Sequence, residues 1–279
     1  MATNSLENIL NNALSYSNEN AFRQDVYYLA KKVFSLSYSD LLINQQKVFD
    51  DEVFTQYLNR YLSGEPLYYI LKKAPFMGYD FVVDKNVLIP RNETEELTIL
   101  LVDEIKENNI KQAKIIDVGC GSGCISISLD LLISDSIVTG VDISSQALKV
   151  SEENSQRLNS KVNYYLSNCL DEVIKRKEQF NYLISNPPYI DRNSFVEKSV
   201  LDYEPHLALF ADNKGLAIIE KILSDIDKVL LPKGKAYFEI SPEQVDDLSK
   251  IIKNKLPRYQ FSFKKDINNF TRFLLLEKE

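Results

Sequence analysis

The sequence has 279 residues, 44% of them hydrophobic and 26% charged, which excludes a disordered chain and allows one large domain or a domain with a smaller companion. A formal net charge of −7 argues against a broad, non-specific grip on nucleic acid, which depends on phosphate neutralisation by Lys and Arg. Three cysteines without a paired framework point to a reduced, cytoplasmic protein, no apolar run is long enough for a transmembrane helix, and residues 1–12 lack the basic-then-apolar layout of a secretory signal.

Residues 1 to about 72 carry a helical pattern and predict a small bundle of four or five helices. Phe22, Val26, Leu29, Ala30 and Val33 share one face, and Val53, Tyr57, Leu58, Tyr61 and Leu62 form a second. Ser39 and Asp40 precede a short apolar run, as N-caps do, and Gly64-Glu65-Pro66 interrupts the pattern. Over residues 75–90 the period changes: Phe76, Tyr79, Phe81, Val83, Val87 and Ile89 alternate with polar residues, predicting a β-hairpin that turns near Asp84-Lys85-Asn86.

From residue 93 helix and strand patterns alternate. Helices are expected at 93–107, 123–133, 144–158, 215–230 and 242–254, and strands at 113–118, 137–142, 162–166, 181–185, 235–240, 259–265 and 271–277. Short apolar strands separated by helices predict an α/β fold with a mostly parallel sheet covered on both faces. The last two strands have no helix between them and should pair antiparallel.

The first strand of this region runs straight into Gly119-Cys120-Gly121-Ser122-Gly123 and then a helix. Glycines there permit a tight turn and close ligand approach, and the helix N-terminus offers donors to an anionic group such as a carboxylate. The G-x-G-x-G spacing favours an S-adenosylmethionine site over a dinucleotide site. Asp142, followed by Ile143, ends the second strand about 20 residues on, where an acid accepts both ribose hydroxyls. It is equally placed to cap the next helix. Asp117 either braces the loop from inside or meets the ligand's amino group. Cys120 and Cys124 suit packing in a tight loop and helix rather than a metal site, and no metal is expected.

Strand 181–185 delivers Asn186-Pro187-Pro188-Tyr189 to the sheet edge where open α/β folds bind ligands. The Asn186 side-chain oxygen and the Pro187 carbonyl can both accept hydrogen bonds from an NH2 group. Two such acceptors hold a planar, weakly nucleophilic nitrogen against a methyl donor and stabilise the positive charge that develops on it. Tyr189 can pack against a flat acceptor group. The chemistry read from these residues is methyl transfer to a planar nitrogen.

With these motifs the chain resembles the release factor glutamine methyltransferase family, which methylates a glutamine side-chain amide in bacterial peptide chain release factors. The resemblance rests on Gly64-Glu65-Pro66-Leu67-Tyr68-Tyr69-Ile70, Val87-Leu88-Ile89-Pro90-Arg91 with Glu93-Thr94-Glu95, Asp117 to Gly123, and Asn186-Pro187-Pro188-Tyr189-Ile190. Smaller pieces are Tyr203-Glu204-Pro205, Ala208-Leu209, Gly215-Leu216, Glu239-Ile240, and Lys265-Asp266 with Arg272. It implies a helical release-factor-binding domain at 1–72, a β-hairpin linker at 73–91, and a class I, Rossmann-like methyltransferase domain with a seven-stranded sheet at 92–279.

It further implies that Asn186 and the Pro187 carbonyl hold the glutamine amide, with Pro188 and Tyr189 lining its pocket. S-adenosylmethionine, which leaves as S-adenosylhomocysteine, would meet Asp117, Gly119 to Gly123, Asp142, Ile143, Asn168, Cys169 and Asn186. The sequence departs from the family at Asn92, where a proline is usual, at Asn168, where an aspartate is common, and at Cys169, where a larger residue is frequent; the last two fall where the adenine is expected. His206 is expected in a loop with a surface or packing role. Arg91, Glu93 and Glu95 either face the ligand or cap helix 93–107. Two other functions meet the same motif: a nucleic-acid amino-group methyltransferase, disfavoured by the acidic balance, and a non-catalytic translation-factor adaptor, disfavoured by the intact Asn186–Tyr189 segment.

Overall fold

The structure, a computed structural model, describes residues 3–279. Among these residues the chain gathers into two compact units, one running up to Lys73 and including Glu197–Tyr203, the other comprising Ala74–Val196 and Glu204–Glu279.

The first unit contains β1 (Thr3–Ser5), α1 (Leu6–Leu14), α2 (Asn20–Val33), α3 (Tyr38–Ile43), β2 (Val48–Asp50), α4 (Glu52–Leu62) and α5 (Leu67–Leu71). Its core joins Leu6, Leu10, Val26, Leu29, Phe54 and Leu58. The α2 face is as expected, with Val26, Leu29 and Ala30 buried and Phe22 and Val33 packed at its margin. The α4 face is rotated from expectation: Phe54 and Leu58 are buried, whereas Val53 and Leu62 are exposed. The cap of α3 also lies elsewhere. Ser37 is the N-cap, and its hydroxyl and Asp40 form a reciprocal capping box, so Ser39 and Asp40 are helical residues. The strands β1 and β2 pair antiparallel; Thr3-Asn4-Ser5 has no apolar alternation to announce a strand.

The second unit opens within β3 (Lys73–Phe76), from Ala74 on, and continues with β4 (Tyr79–Val82). Their hairpin turns at Met77-Gly78 and not at Asp84-Lys85-Asn86. Both turn residues have positive φ, 50° and 82°, the geometry that matches the twist of two short strands. Asp84 instead makes a local Asx turn, accepting from the Asn86 N–H at 2.8 Å.

There follow α6 (Asn92–Glu107), β5 (Lys114–Val118), α7 (Cys124–Leu132), β6 (Ile137–Asp142), α8 (Ser145–Leu158), β7 (Asn163–Leu166), α9 (Asp171–Lys175) and β8 (Phe180–Ser185). Next come α10 (Lys198–Tyr203), which belongs to the first unit, and then α11 (His206–Leu209), α12 (Ala217–Val229), β9 (Leu230–Glu239), α13 (Val245–Lys255), β10 (Tyr259–Lys265) and β11 (Thr271–Lys278). His206 thus begins a short helix rather than lying in a loop, its ring edge-on to Phe210. The strand β9 starts five residues before the expected Lys235, through an irregular entry at Lys233 and Gly234 where its register against β8 shifts.

The sheet has seven strands in the order β10-β11-β9-β8-β5-β6-β7. Strands β9, β8, β5, β6 and β7 are mutually parallel, and β11 pairs antiparallel with both β9 and β10. Side chains alternate between two cores, as strand geometry requires. Ile116, Val118, Leu183 and Phe238 face α12 and α13, while Ile115, Tyr182, Ile184 and Tyr237 face α6 and α7. Burial on both faces explains why the strands read as continuous apolar runs. No helix among the described residues is long and apolar enough to cross a membrane.

Candidate functional site

The order reverses between β5 and β8, so the loops leaving these neighbouring strands diverge and open a crevice at their carboxyl ends. The Ser185 hydroxyl, at the end of β8, donates to the Val118 carbonyl at the end of β5 (2.6 Å) and locks the two loop origins together.

The glycine loop takes three left-handed turns, with φ of 77° at Gly119, 55° at Gly121 and 78° at Gly123. It folds across the end of β6: the N–H groups of Gly119 and Cys120 donate to the Val141 carbonyl at 2.8 and 3.0 Å. The Gly121 N–H donates to Asp142 Oδ2 at 2.9 Å, while Asp142 Oδ1 accepts from Ser144 N–H at 2.8 Å. Asp142 therefore braces the loop, and the N-cap of α8 is Ser144, whose hydroxyl accepts from Ala147 N–H. Burial raises the Asp142 carboxyl above its ordinary range, and the backbone donors Ser144, Gly121 and Ile143 pull it back. Behind the loop Asp117 is fully buried. Its Oδ2 accepts from Ser126 N–H at 3.1 Å, and its Oδ1 has no partner. Burial lifts this carboxyl to about 7, against the opposing bonds from Ser126. Asn154 on α8 ties the loop to the hairpin: its Nδ2 donates to the carbonyls of Ser122 and Val82, and its Oδ1 accepts from Val82 N–H.

A cleft of about 280 Å³ brings together Gly119, Cys120, Gly121, Ser122, Asp142, Ile143, Asn168, Cys169, Asn186, Pro187 and Pro188. Asp117 and Gly123 stand behind its wall. Tyr189 lines a neighbouring cleft of about 510 Å³ with Phe195 and Gln244. The first cleft is also walled by Val87, Leu88, Pro90 and Arg91. Glu204, almost wholly buried, holds that wall, pairing with the Arg91 guanidinium and accepting from Ile89 N–H at 3.2 Å. Arg91 therefore faces the cleft, whereas Glu95 accepts from Met77 N–H. Cys120 and Cys124 are buried thiols, raised by burial, Cys124 to about 12; these are packing side chains.

Sequence reasoning missed what stands behind Asn186. Its Nδ2 donates to Thr94 Oγ1 at 2.9 Å, and Thr94 Oγ1 donates to Glu239 Oε2 at 2.7 Å. The Tyr189 hydroxyl donates to Glu239 Oε1 at 3.1 Å. Burial and the adjacent Glu239 raise the Tyr189 phenol, which stays a donor. Gly215 makes room for this segment: a Cβ there would lie 2.0 Å from the Tyr189 carbonyl oxygen. Thr94, Glu204, Gly215 and Glu239 all lie in short motifs that carried the family resemblance, which was the one signal available for them.

The donor set fits S-adenosylmethionine. Asp142 accepts from the N–H groups of Gly121, Ser144 and Ile143, and its carboxylate keeps lone-pair capacity for a hydroxyl donor. A Cβ at Gly119 or Gly121 would meet nothing within 4 Å, so bare backbone faces open space. Ile125, Ile143, Ile218 and Ile222 supply apolar wall.

Comparison with known proteins fixes the family. The family model described as the PrmC N-terminal domain matches residues 10–71, and the Methyltransferase small domain matches residues 80–202. A release factor glutamine methyltransferase of Staphylococcus aureus is 34% identical, covering 95% of this chain and 96% of the relative. The chain belongs to the release factor glutamine methyltransferase family. A second relative of that name, from Mycoplasma mycoides, is 34% identical over 98% of this chain and 99% of its own. Among solved structures, the 16S rRNA N2 G1207 methyltransferase of T. thermophilus superposes with a TM-score of 0.54 at 14% identity, covering 74% of this chain and 50% of that one, a likeness of fold. For this member of the release factor glutamine methyltransferase family, the seven-stranded sheet and flanking helices are the class I methyltransferase architecture expected from the sequence.

Proposed function

We propose that this chain transfers a methyl group from S-adenosylmethionine to the side-chain amide nitrogen, N5, of a glutamine in a peptide chain release factor. The observation that carries the reading is that Asn186-Pro187-Pro188 and Gly119–Ser122 wall one cleft from adjacent strands. Family membership over the whole chain supports the substrate class.

S-adenosylmethionine supplies an electrophilic methyl group when bound. The glycine loop and Asp142 are the residues to hold it, with Ile143, Asn168 and Cys169 toward the adenine. Asn186 Oδ1 and the Pro187 carbonyl accept from the glutamine NH2, orient its nitrogen and stabilise the positive charge that forms there. The proton leaves after transfer, so no strong base is required. Tyr189, in the adjoining cleft, anchors this segment through its hydroxyl's bond to Glu239. The helical first unit is the part that would bind the release factor.

The test is to supply labelled S-adenosylmethionine with purified release factor, DNA or RNA in turn. Label on a release-factor glutamine is expected, and label only on nucleic acid would reject the reading. Asn186→Ala should lower kcat by about 100-fold or more while leaving cofactor affinity within about threefold.

A further inference from the structure

Thr94 has one hydroxyl proton, and an ionised carboxylate can only accept. With Glu239 at 2.7 Å, that proton must point at the carboxylate. The Thr94 oxygen is then left with lone pairs alone toward Asn186, so the amide must present its NH2 to Thr94 at 2.9 Å and turn Oδ1 the other way. The Tyr189 hydroxyl donates to the second carboxylate oxygen, and Thr98 fixes the backbone of Thr94 by donating to its carbonyl at 2.8 Å. An asparagine flipped by half a turn would put a donor against the donor hydrogens of the incoming NH2 group.

We propose that Thr94 and Glu239 form a polarity relay that keeps the oxygen of the Asn186 amide directed at the acceptor nitrogen, making both positioning residues for methyl transfer. The inference deepens the proposed function and rests on its assignment of Asn186. Glu239 is 1% exposed, and nothing in the relay touches the cleft except through Thr94 and Asn186. A protonated Glu239 would itself be a donor, would release the Thr94 proton toward Asn186, and would favour the flipped amide. The charged groups around it are Glu93 on α6 and Arg272 on β11, which act in opposite directions, beside the Tyr189 phenol. Burial is the main cause that lifts its carboxyl to about 7, so the relay's polarity changes near neutral pH.

The test uses the full chain with S-adenosylmethionine and purified release factor, comparing wild type with Thr94→Val, Thr94→Ser and Glu239→Gln. The isosteric valine and the glutamine should each lower kcat by about 10- to 100-fold, with KM for the release factor and the Kd for S-adenosylmethionine changed by less than about threefold. Thr94→Ser, which keeps the hydroxyl, should recover most of the loss. Wild-type kcat should rise with pH through about 7, and Glu239→Gln should flatten that limb. A valine variant with normal kcat, or a serine variant as slow as valine, would overturn the relay.

A second readout is independent of turnover. The side-chain NH2 resonances of Asn186, assigned by their loss in Asn186→Asp, should shift between pH 6 and 8 in wild type, an interval that spans the carboxyl at about 7, and should lose that dependence in Glu239→Gln. Unchanged resonances in Thr94→Val would also overturn it. If the wild type methylates no glutamine, the proposed function fails, and these resonances still decide the relay.

Discussion

Gly215→Ala isolates the placement of the acceptor segment. The added Cβ would lie 2.0 Å from the Tyr189 oxygen and 2.6 Å from its carbonyl carbon, where real Cβ atoms essentially never come within 3.0 Å. Both obstructing atoms are backbone, so no side chain can swing aside and the Asn186–Tyr189 segment must move. Alanine at φ 79° also costs about 1–2 kcal/mol in its own right. Displacement of about 1 Å at a reacting group lowers turnover by about 100-fold. The expected result is that fall in kcat with cofactor Kd held within about threefold, because the glycine loop leaves a different strand. Gly64→Ala is the control: it has φ 96° but open space around its Cβ, and lies in the helical unit. It should cost stability and leave kcat alone. Paired kinetic and isothermal binding measurements decide the matter. Normal kcat in Gly215→Ala, or equal losses of kcat and cofactor affinity, would refute the reasoning.

Three further outcomes are expected. Asp117 is an acid whose folded value, about 7, lies above the ordinary carboxyl value of 3.8; the folded state holds a proton that the unfolded state has released. Stability should therefore fall as pH rises from about 4 to 7, and Asp117→Asn should reduce that slope in denaturation measured across pH, the remainder belonging to Glu239. Asn154→Ala leaves Val82 N–H and the carbonyls of Val82 and Ser122 without their partner. It should destabilise the sheet unit by at least about 2 kcal/mol in urea titration and weaken S-adenosylmethionine binding. Cys120, Cys124 and Cys169 are buried, and burial raises all three thiols. Native protein at pH 8 should resist alkylation by iodoacetamide, and all three should react once unfolded, as mass spectrometry would register.

The alternating region was legible because its strands are buried on both faces: Ile115-Ile116 and Leu183-Ile184 are apolar whichever way they point. The glycine loop and Asn186-Pro187-Pro188 were legible because their chemistry is local. The hairpin turn was not, because Asp84-Lys85-Asn86 is the stronger turn signal and Met77 adopts positive φ against its own preference. The α3 cap was read two residues late, at Ser39-Asp40, because the bonds that place it at Ser37 are made by the Asp40 side chain reaching back. In the site, Asp142 proved to hold the loop rather than cap the helix, and Tyr189 lines the adjoining cleft. The Thr94–Glu239 contact spans 145 positions. No local pattern encodes it, since only the closing of α6 against β9 brings the pair together.

Parallel pairing of β5 and β8 has a further consequence for the spacing of the two loops. The gap between the two loop origins is the interstrand spacing of the sheet, about 4.8 Å, and it does not depend on what either loop contains. Reach is thus set by the backbone, and the residues that follow β8 present their acceptor groups at that distance. The donor loop and the acceptor segment therefore meet at one fixed separation that side-chain changes in either loop do not alter.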